Sequence, residues 1–289
     1  MPYPVLVRRS TLWLLTVTQL VLISTSSAQH LRTVDYPGAT NTFLNAINSE
    51  GDVAGYYTDS VGVEYGFFTR NHQFREVTIS GLPGTAYPWG ISDDYIVVGY
   101  DIYYRGFTGG FGAGPNHFRQ FYTAFQDEYS PVYNITPTTG IVSGTFGEGP
   151  YYGFYYLNGQ YYKIVYPGSS GLGTTVTGEN DQGQFVGTYF IGSSEGGFLY
   201  DGISTYTAID YPAAISTTPN RISNTGEIVG SYQLSDKVNH GFTYVNGIFA
   251  SVDFPEATDT QIFGVNASGT IVGRYTDSSG IVHGFEGTP

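Results

Sequence analysis

The sequence contains no cysteine, only one methionine, and few charged side chains, which make up 12% of its 289 residues. Without cysteine the chain can form neither a disulfide scaffold nor a zinc–thiolate site. Low charge and 40 glycines argue against a helical bundle or a coiled coil, because glycine penalises helices and those folds need charged helix surfaces. Aromatic residues are abundant instead, with 27 tyrosines and 19 phenylalanines. This composition is typical of strands joined by tight turns.

Residues 1–28 differ from the rest of the chain. Two arginines precede a 13-residue apolar run, and small residues follow up to Ala28. The run is too short for a comfortable membrane span, and the whole pattern is that of a secretory signal peptide. We therefore predict a cleaved signal at 1–28 and a single domain at 29–289 that is secreted or periplasmic and has no membrane span. The alternatives for 1–28 are a transmembrane anchor or a buried helix.

The chain beyond residue 28 is strongly acidic. It carries 9 Lys and Arg against 24 Asp and Glu, a formal charge of −15. Such a surface repels phosphate backbones and anionic lipid headgroups. We therefore expect neither a nucleic-acid partner nor binding to a membrane surface.

One sequence unit recurs six times along the chain. Its clearest mark is a β-branched or small residue followed by glycine, and the copies lie 43 to 45 residues apart at Gly55, Gly99, Gly144, Gly187, Gly230 and Gly273. A Gly-Phe pair follows in five copies, ending at Phe67, Phe154, Phe198, Phe242 and Phe285. An Asp-aromatic-Pro turn is clearest at Asp35, Asp210 and Asp253. A period of this length indicates one supersecondary unit stacked on its neighbours.

Each unit reads as four short strands. Asn246-Gly247 is a hairpin signal, because both positions accept the positive φ of a type I′ turn. Four antiparallel strands in about 43 residues are typical of a propeller blade. The chain after the signal begins with a fourth strand, HLRTVDYPG, and ends with a third, IVHGFEG. We predict an all-β, six-bladed β-propeller of four-stranded antiparallel blades, its ring closed by pairing of the N-terminal strand with the C-terminal strands. An open β-solenoid is the alternative.

The second copy departs from the pattern. We align Phe118 with the repeat phenylalanine, because it precedes the next repeat proline by the same 13 residues as in other copies, and treat 101–116 as an insertion.

In the regular copies we expect the phenylalanines to pack between adjacent blades and the Val-Gly glycines to let neighbouring sheets approach closely. The turn aspartates are expected to cap backbone amides rather than bind calcium, since dense Asp-x-Asp-x-Asp spacing is lacking.

Two stretches of the sequence are similar to each other along their whole length, namely VDYPGATNTFLNAINSEGDVAGYYTDSVGVEYGFF and VDFPEATDTQIFGVNASGTIVGRYTDSSGIVHGF. They resemble the probable extracellular repeat of the HAF family, which is found in exported bacterial proteins. The resemblance covers residues 32–289 and is weakest in copies two and three. It implies an exported, β-rich repeat protein, and it brings no established catalytic residues.

Motifs for catalysis are scarce, since the sequence has no His-Glu-x-x-His motif and no P-loop. His240 and His283 share a repeat position that holds Tyr65 and Tyr152 in other copies, which favours a packing site over a metal site. We therefore predict no catalytic residue, no metal and no cofactor. The enzymatic alternative is an extracellular polysaccharide hydrolase or lyase that uses acidic residues in the funnel. Its candidate carboxylates, near corresponding positions after the second strand, are Asp59, Asp101 and Glu148.

The segment DIYYRGFTGGFGAGPN is the best candidate for a ligand site. Together with Trp89 on the adjoining innermost strand, the predicted ligand-binding residues are Tyr103, Tyr104, Arg105 and Phe107. Aromatic faces flanked by polar groups suit sugars or peptides, whereas a flexible loop of exposed tyrosines is the alternative. We predict an exported, monomeric binding or scaffold module that recognises a glycan or a protein ligand at this loop face.

Overall fold

The structure is a computed structural model that describes residues 29–78, 86–101, 106–110, 119–120, 130–147, 150–170 and 173–289. Side chains are described in these ranges except at 106–110 and 119–120. The predicted signal peptide, 1–28, lies outside the described residues. Within the described ranges, no helix has the length and apolar character needed to span a bilayer.

The described residues form 24 strands in six four-stranded antiparallel sheets. Sheet 1 contains β2 (Asn41–Ile47), β3 (Val53–Thr58), β4 (Glu64–Arg70) and β5 (Gln73–Val77). Sheet 2 contains β6 (Ala86–Ile91), β7 (Ile96–Asp101), β8 (Gly106–Gly110) and β9 (Arg119–Gln120). Sheet 3 contains β10 (Val132–Ile135), β11 (Val142–Phe146), β12 (Tyr152–Leu157) and β13 (Gln160–Ile164).

The remaining strands form three further sheets. Sheet 4 contains β14 (Thr174–Glu179), β15 (Phe185–Ile191), β16 (Ser194–Tyr200) and β17 (Tyr206–Ala208). Sheet 5 contains β18 (Ser216–Ile222), β19 (Ile228–Gln233), β20 (Asn239–Val245) and β21 (Ile248–Val252). Sheet 6 contains β22 (Asp259–Val265), β23 (Ile271–Thr276), β24 (Val282–Thr288) and the N-terminal strand β1 (His30–Thr33).

The first strands of the sheets form a closed inner ring. Each contacts the first strand of the next sheet, and β22 contacts β2. The predicted fold class, an all-β propeller of four-stranded antiparallel blades, is confirmed. The chain ends also pair as predicted, since β1 lies beside β24 with His30 opposite Thr288 and Thr33 opposite Phe285.

Asparagine side chains fasten successive sheets together near the centre. Asn45 Nδ2 in sheet 1 donates a 2.8 Å hydrogen bond to the carbonyl oxygen of Pro88 in sheet 2. Asn266 Nδ2 in sheet 6 donates a 3.2 Å bond to the carbonyl oxygen of Asn48 in sheet 1. The ring is therefore closed by side-chain hydrogen bonds as well as by strand pairing.

The repeat phenylalanines fill the spaces between sheets. All five have 0% exposed surface: Phe67, Phe154, Phe198, Phe242 and Phe285. Phe285 of sheet 6 packs with Val229 of sheet 5, and Phe67 of sheet 1 packs with Val272 of sheet 6. Burying one such ring contributes about 1.5–3 kcal/mol. The prediction that these rings pack between adjacent blades is confirmed.

The Val-Gly glycines have a different role from the predicted one. A Cβ at Gly55 would lie 1.9 Å from the carbonyl oxygen of Phe43, which belongs to the same sheet. Close approach between sheets occurs instead at the glycine of each Gly-Phe pair, since a Cβ at Gly66 would lie 2.6 Å from the carbonyl oxygen of Ala86 in sheet 2. The prediction was wrong because a β-bulge in each first strand crowds the Val-Gly position from within the sheet.

In sheet 2 the third strand lies earlier than predicted. β8 begins at Gly106, inside the segment 101–116 that we treated as an insertion. Its register sets Phe107 opposite Gly99, as the repeat phenylalanine lies opposite the Val-Gly glycine in other sheets. Phe107, rather than Phe118, is therefore the counterpart of the repeat phenylalanine. The alignment was wrong because it relied on the distance to the next proline, which differs in this copy.

Candidate functional site

Every first strand carries a β-bulge at the same place, and the bulges bring one residue from each sheet to the centre of the ring. These bulge residues are Asn45, Trp89, Tyr133, Thr177, Asn220 and Phe263. A bulge re-aims both the side chain and the backbone groups of the residue it contains. The centre of the ring is therefore lined by one residue from each sheet, and these residues include amides, a threonine and three aromatic rings.

Arg221, directly after the bulge of sheet 5, occupies this centre. Its Nη1 donates hydrogen bonds of 3.2 Å to the carbonyl oxygens of Tyr133 and Thr177. Its Nη2 donates to the carbonyl oxygens of Asn45 at 3.2 Å and Trp89 at 2.8 Å. One guanidinium group thus joins sheet 5 to sheets 1, 2, 3 and 4.

Most other sheets have a small residue at the position that Arg221 occupies in sheet 5. Four sheets have glycine or alanine there, namely Ala46, Gly90, Gly178 and Gly264. A Cβ at Gly178 would lie 3.0 Å from the Cα of Arg221. Arg221 was not among the predicted site residues, although a long cation at a repeat position that otherwise holds glycine or alanine is a signal that could have identified it.

Glu179 is buried beside Arg221, and both residues line a small cavity of about 30 Å³. Glu179 Oε2 accepts a hydrogen bond from Ser143 Oγ, whereas Oε1 has no hydrogen-bond partner within the described part of the chain. Burial raises the pKa of this carboxyl to about 7, although Ser143 and Arg221 act in the opposite direction. Burial also lowers the pKa of Arg221 to about 10, so the guanidinium stays charged at neutral pH.

Aromatic rings line the centre on the side of Arg221 where the first strands begin. Neighbouring ring centroids lie 4.3 to 6.1 Å apart. We call this set the aromatic arc: Phe43, Tyr56, Tyr87, Trp89, Tyr100, Tyr133 and Phe263. The Arg274 guanidinium lies 5.4 Å from the Phe43 ring and 5.1 Å from the Phe263 ring and connects them. All of these rings except that of Phe263 are half-buried, so part of each remains accessible.

Sheets 4 and 5 place hydroxyl groups at the register where sheets 1 and 2 place aromatic pairs. Phe43 lies opposite Tyr56 in sheet 1, and the counterparts of this pair are Thr175 with Thr188 and Thr218 with Ser231. We call these four residues the hydroxyl arc, and the space between the two arcs the funnel. The funnel wall is therefore aromatic in sheets 1 and 2 and hydroxylic in sheets 4 and 5, and the Gln261–Arg274 pair of sheet 6 lies between the two arcs.

Trp89 is the predicted ligand-binding residue that the structure places in this wall. Its ring lies 5.8 Å from that of Tyr133 and 5.6 Å from that of Phe263, both edge to face. Its Nε1 is buried and has no hydrogen-bond partner in the described ranges. Trp89 is thus part of a cluster drawn from sheets 2, 3 and 6, rather than the neighbour of a single loop.

The other predicted ligand-binding residues are not brought to the funnel by any described contact. Tyr103, Tyr104 and Arg105 lie outside the described residues. Phe107 lies on β8, the third strand of sheet 2, and its side chain is not described. Its strand position corrects the prediction that it belongs to a loop.

The candidate carboxylates of the hydrolase alternative have different surroundings. Asp59 Oδ1 accepts hydrogen bonds of 2.9 Å from the backbone amides of Val61 and Val63, so this carboxylate caps its own turn. Asp101 is buried at the end of β7, with 3% of its surface exposed. Glu148 lies outside the described residues. Among the residues that are described, no group of three or more His, Cys, Asp or Glu side chains is arranged to hold a metal ion.

Two of the three Asp-aromatic-Pro aspartates accept a backbone amide, as predicted, whereas Asp253 contacts the side chains of His240 and Ser251. Asp35 Oδ1 accepts from the amide of Gly284, and Asp210 Oδ1 accepts from the amide of Gly197, both at 3.2 Å. Both glycines belong to the Gly-Phe pair of the preceding sheet. These two carboxylates therefore fasten their connections to the sheets that the connections leave.

Residues 192–196 read Gly-Ser-Ser-Glu-Gly and match the Gly-x-Ser-x-Gly pattern of a nucleophile elbow. In hydrolases that pattern lies on a turn from a strand to a helix. Here Gly192 and Ser193 form the turn of the hairpin between β15 and β16. The motif lacks its structural context, and we assign it no catalytic role.

No protein-family model matches the chain, and no curated protein matches it in sequence. Several solved structures are similar in fold. The fucose-specific lectin from Aleuria aurantia is 10% identical, with a TM-score of 0.54 over 86% of this chain and 93% of the lectin. The β-propeller domain of the Trilobed protease from Pyrococcus furiosus is 10% identical, with a TM-score of 0.52 over 86% and 94%.

A third similar structure is XC5397 from Xanthomonas campestris, a gluconolactonase. It is 9% identical, with a TM-score of 0.51 over 90% of each chain. At such low identity these similarities show the fold alone. The protein is a β-propeller, and its function has to be argued from its own residues.

Proposed function

We propose that this protein is an exported, six-bladed propeller module that binds a neutral glycan in the funnel. The observation that supports this proposal is the division of the funnel wall into an aromatic arc and a hydroxyl arc. A sugar ring has apolar C–H faces, which pack on aromatic rings, and hydroxyl groups, which need hydrogen-bond partners. The two arcs offer both kinds of contact across one opening.

The charge of the chain favours a neutral sugar over an acidic one. The chain beyond residue 28 carries a formal charge of −15, which repels uronic acids and sulfated sugars. Arg274 is the cation that contacts the aromatic arc, and its guanidinium is already placed against two rings and the Oε1 of Gln261, at 3.1 Å. A lectin that is fucose-specific has the same fold, which supports a glycan as the class of ligand.

We also propose that the protein is exported and monomeric. The signal-peptide pattern of residues 1–28 supports a secreted or periplasmic location, and so does the resemblance of 32–289 to HAF repeats. Pairing of β1 with β24 satisfies the last sheet within one chain, so no second copy is needed to close the ring. These features support a monomer that acts outside the cytoplasm.

The funnel can be tested directly, because Trp89 is the one tryptophan of residues 29–289. We expect a neutral oligosaccharide from a glycan panel to change Trp89 fluorescence saturably, and the matching polysaccharide to retard the protein in affinity electrophoresis. Retardation without any change in fluorescence would contradict the funnel as the site. Loss of retardation in Tyr104→Ala and Arg105→Ala would then identify the predicted loop instead.

The same panel separates binding from hydrolysis. Reducing ends should not be released during prolonged incubation if the protein only binds. Release that is abolished by Asp101→Asn, with retention unchanged, would show that the protein is a hydrolase and would refute the binding-only proposal.

A further inference from the structure

A second opening lies outside the funnel, between the β15–β16 hairpin of sheet 4 and the connection to β18. It is a groove of about 370 Å³, and its lining includes Tyr189, Glu195, Gly196, Asp210 and Ile215. Among the described residues that line the groove, two are carboxylic acids and none is a lysine, arginine or histidine. The groove is therefore acidic, with one aromatic ring in its wall.

In sheet 6 a histidine side chain, that of His283, fills the place that corresponds to this groove. His283 Nδ1 lies 2.8 Å from Asp35 Oδ2, while Asp35 Oδ1 accepts a 3.2 Å hydrogen bond from the amide of Gly284. The His283 imidazole also stacks on Tyr275, with the ring centroids 5.0 Å apart and the planes 23° apart. The equivalent histidine of sheet 5 makes the same two contacts with its own aspartate and tyrosine. A planar nitrogen-bearing ring between a tyrosine face and a carboxylate is thus a recurring element of this protein.

Sheet 4 keeps the tyrosine and the aspartate of this arrangement but lacks the histidine, and the end of its tyrosine ring leans toward the vacated place, since a Cβ at Gly196 would lie 2.6 Å from Tyr189 Cζ and Oη. The strand register sets Tyr189 opposite Gly196, as it sets Tyr275 opposite His283. Asp210 Oδ1 accepts a 3.2 Å hydrogen bond from the amide that follows Gly196, which repeats the contact made by its counterpart in sheet 6. Among the described residues, the second oxygen of Asp210 has no hydrogen-bond partner.

The aromatic wall of the groove is held in place from behind. Tyr189 stacks on Tyr166 with ring centroids 3.7 Å apart and planes 3° apart, so one of its faces is covered. Gly196 contributes no side chain to cover the other face. Glu195 adds a second, half-buried carboxyl, and burial raises its pKa, so a nearby cation would stabilise its charged form.

We propose that this groove binds a planar organic cation, an imidazolium or guanidinium group presented by a histidine or arginine side chain of a protein partner. Asp210 would accept hydrogen bonds from the cation, and Tyr189 would stack on its face. A carboxylate beside an aromatic ring suits a guanidinium group especially well, because guanidinium groups pair with carboxylates through two parallel hydrogen bonds and stack on aromatic rings. The site lies outside the funnel, so the proposal does not depend on glycan binding.

The test uses N-acetylarginine amide as the probe and N-acetyllysine amide as its matched control. The amide proton of Gly197 contacts Asp210 and reports on the site by NMR. We expect a saturable shift of this resonance with the arginine probe and at least tenfold weaker binding of the lysine probe. Asp210→Asn should weaken the arginine probe at least tenfold, since it keeps an acceptor for the Gly197 amide but removes the charge. Trp89 fluorescence should not respond to either probe.

Two variants at the equivalent position complete the design. Gly196→His should block the groove with the protein's own imidazole and abolish binding of the probe. His240→Gly should create a second groove in sheet 5 and raise the stoichiometry from one probe to two. Gly196→His requires the end of the Tyr189 ring to move, because a Cβ there would lie 2.6 Å from it. Asp210→Asn therefore decides the question if that variant fails to fold.

Three outcomes would overturn the proposal. The first is equal affinity for the lysine and arginine probes, which would mean that the groove attracts any positive charge. The second is unchanged binding to Asp210→Asn. The third is binding to His240→Gly with none to the wild-type protein, which would show that sheet 4 cannot use the arrangement.

Discussion

Nη2 of Arg221 donates a 2.8 Å hydrogen bond to the carbonyl oxygen of Trp89, which lies 132 residues earlier in the chain and three sheets away. The same guanidinium bonds one bulge carbonyl in each of three other sheets. These bonds can form together only when the ring is closed. The hydrogen bonds of this one side chain therefore depend on the relative positions of five sheets.

Replacement of Arg221 by methionine should lower the free energy of unfolding by about 3–5 kcal/mol, because it removes the donor for four carbonyls at the centre of the ring and removes the positive charge beside Glu179. Urea denaturation followed by Trp89 fluorescence measures the change. Arg32→Met is the control, since Arg32 is 72% exposed and pairs with Glu286 at the surface. The control should lose no more than about 1 kcal/mol. Equal losses in the two variants would contradict a structural role for Arg221.

Ionisation of Glu179 should lower the free energy of unfolding as the pH rises. Its pKa is raised from 4.5 to about 7 in the folded protein, so the folded state binds this proton more tightly than the unfolded chain. The stability that the proton contributes is complete below pH 4.5 and is lost as pH rises through 7. Relative to Glu179→Gln, the wild type should lose about 3 kcal/mol across this window. Unfolding curves at several pH values measure the difference, and parallel pH profiles would refute it.

Gly284→Ala should destabilise the junction between the chain ends. An added Cβ would lie 2.5 Å from the carbonyl oxygen of Val34, which is backbone and cannot move alone. We expect a loss of about 2–3 kcal/mol, as in overpacked cores. Gly280→Ala is the comparison, because Gly280 has a φ of 84° and open space around it. Its cost should be about 1–2 kcal/mol, from backbone strain alone. A smaller cost at Gly284 than at Gly280 would contradict the close approach.

Removal of residues 29–33 should destabilise the entire ring. It deletes β1 and exposes the edge of β24, which invites pairing between molecules. Loss of about four strand hydrogen bonds predicts a melting temperature lower by about 10 °C. Calorimetry measures this shift, and a peptide of residues 29–37 added in excess should restore part of it. A melting temperature equal to that of the wild type would show that the pairing does not support the fold.

Substitutions in the aromatic arc should weaken glycan binding. Tyr133→Ala removes a ring beside Trp89 and should reduce affinity about tenfold, since aromatic contacts of this kind contribute about 0.5–1.5 kcal/mol beyond the area they bury. Affinity electrophoresis and Trp89 fluorescence both measure the effect. Tyr162→Ala is the control, because Tyr162 is 40% exposed on the outer strand β13. Equal weakening in the two variants would place the glycan outside the funnel.

The repeats allowed much of the fold to be predicted, because each signal acts locally. Asn246 and Gly247 do adopt the positive φ values of 51° and 85° that the hairpin signal requires. The pairing of β1 with β24 followed from the phase of the repeats at the two ends of the chain. Such signals do not show which sheet a glycine faces. We therefore expected Gly55 to allow close approach of a neighbouring sheet, whereas it is crowded by Phe43 of its own sheet.

The candidate site was less predictable, because its members are distant in sequence. Trp89, Tyr133 and Phe263 are neighbours only because each occupies the bulge of its own first strand. A bulge adds one residue without any strong sequence mark, so the repeats could be aligned at this position without showing that it faces the axis of the ring. Arg221 was overlooked for the same reason, and its importance depends on four carbonyls contributed by other repeats.

The position directly after the bulge also explains why this protein cannot be perfectly periodic. Six identical repeats would place either six arginines at the axis, where they would collide and repel, or six glycines, which would leave the inward carbonyls without a donor. One copy must therefore differ from the others for all of them to be satisfied. Arg221 of the fifth repeat supplies this donor for four other repeats, and a consensus design made of six identical copies would need a different hydrogen-bond donor at the axis.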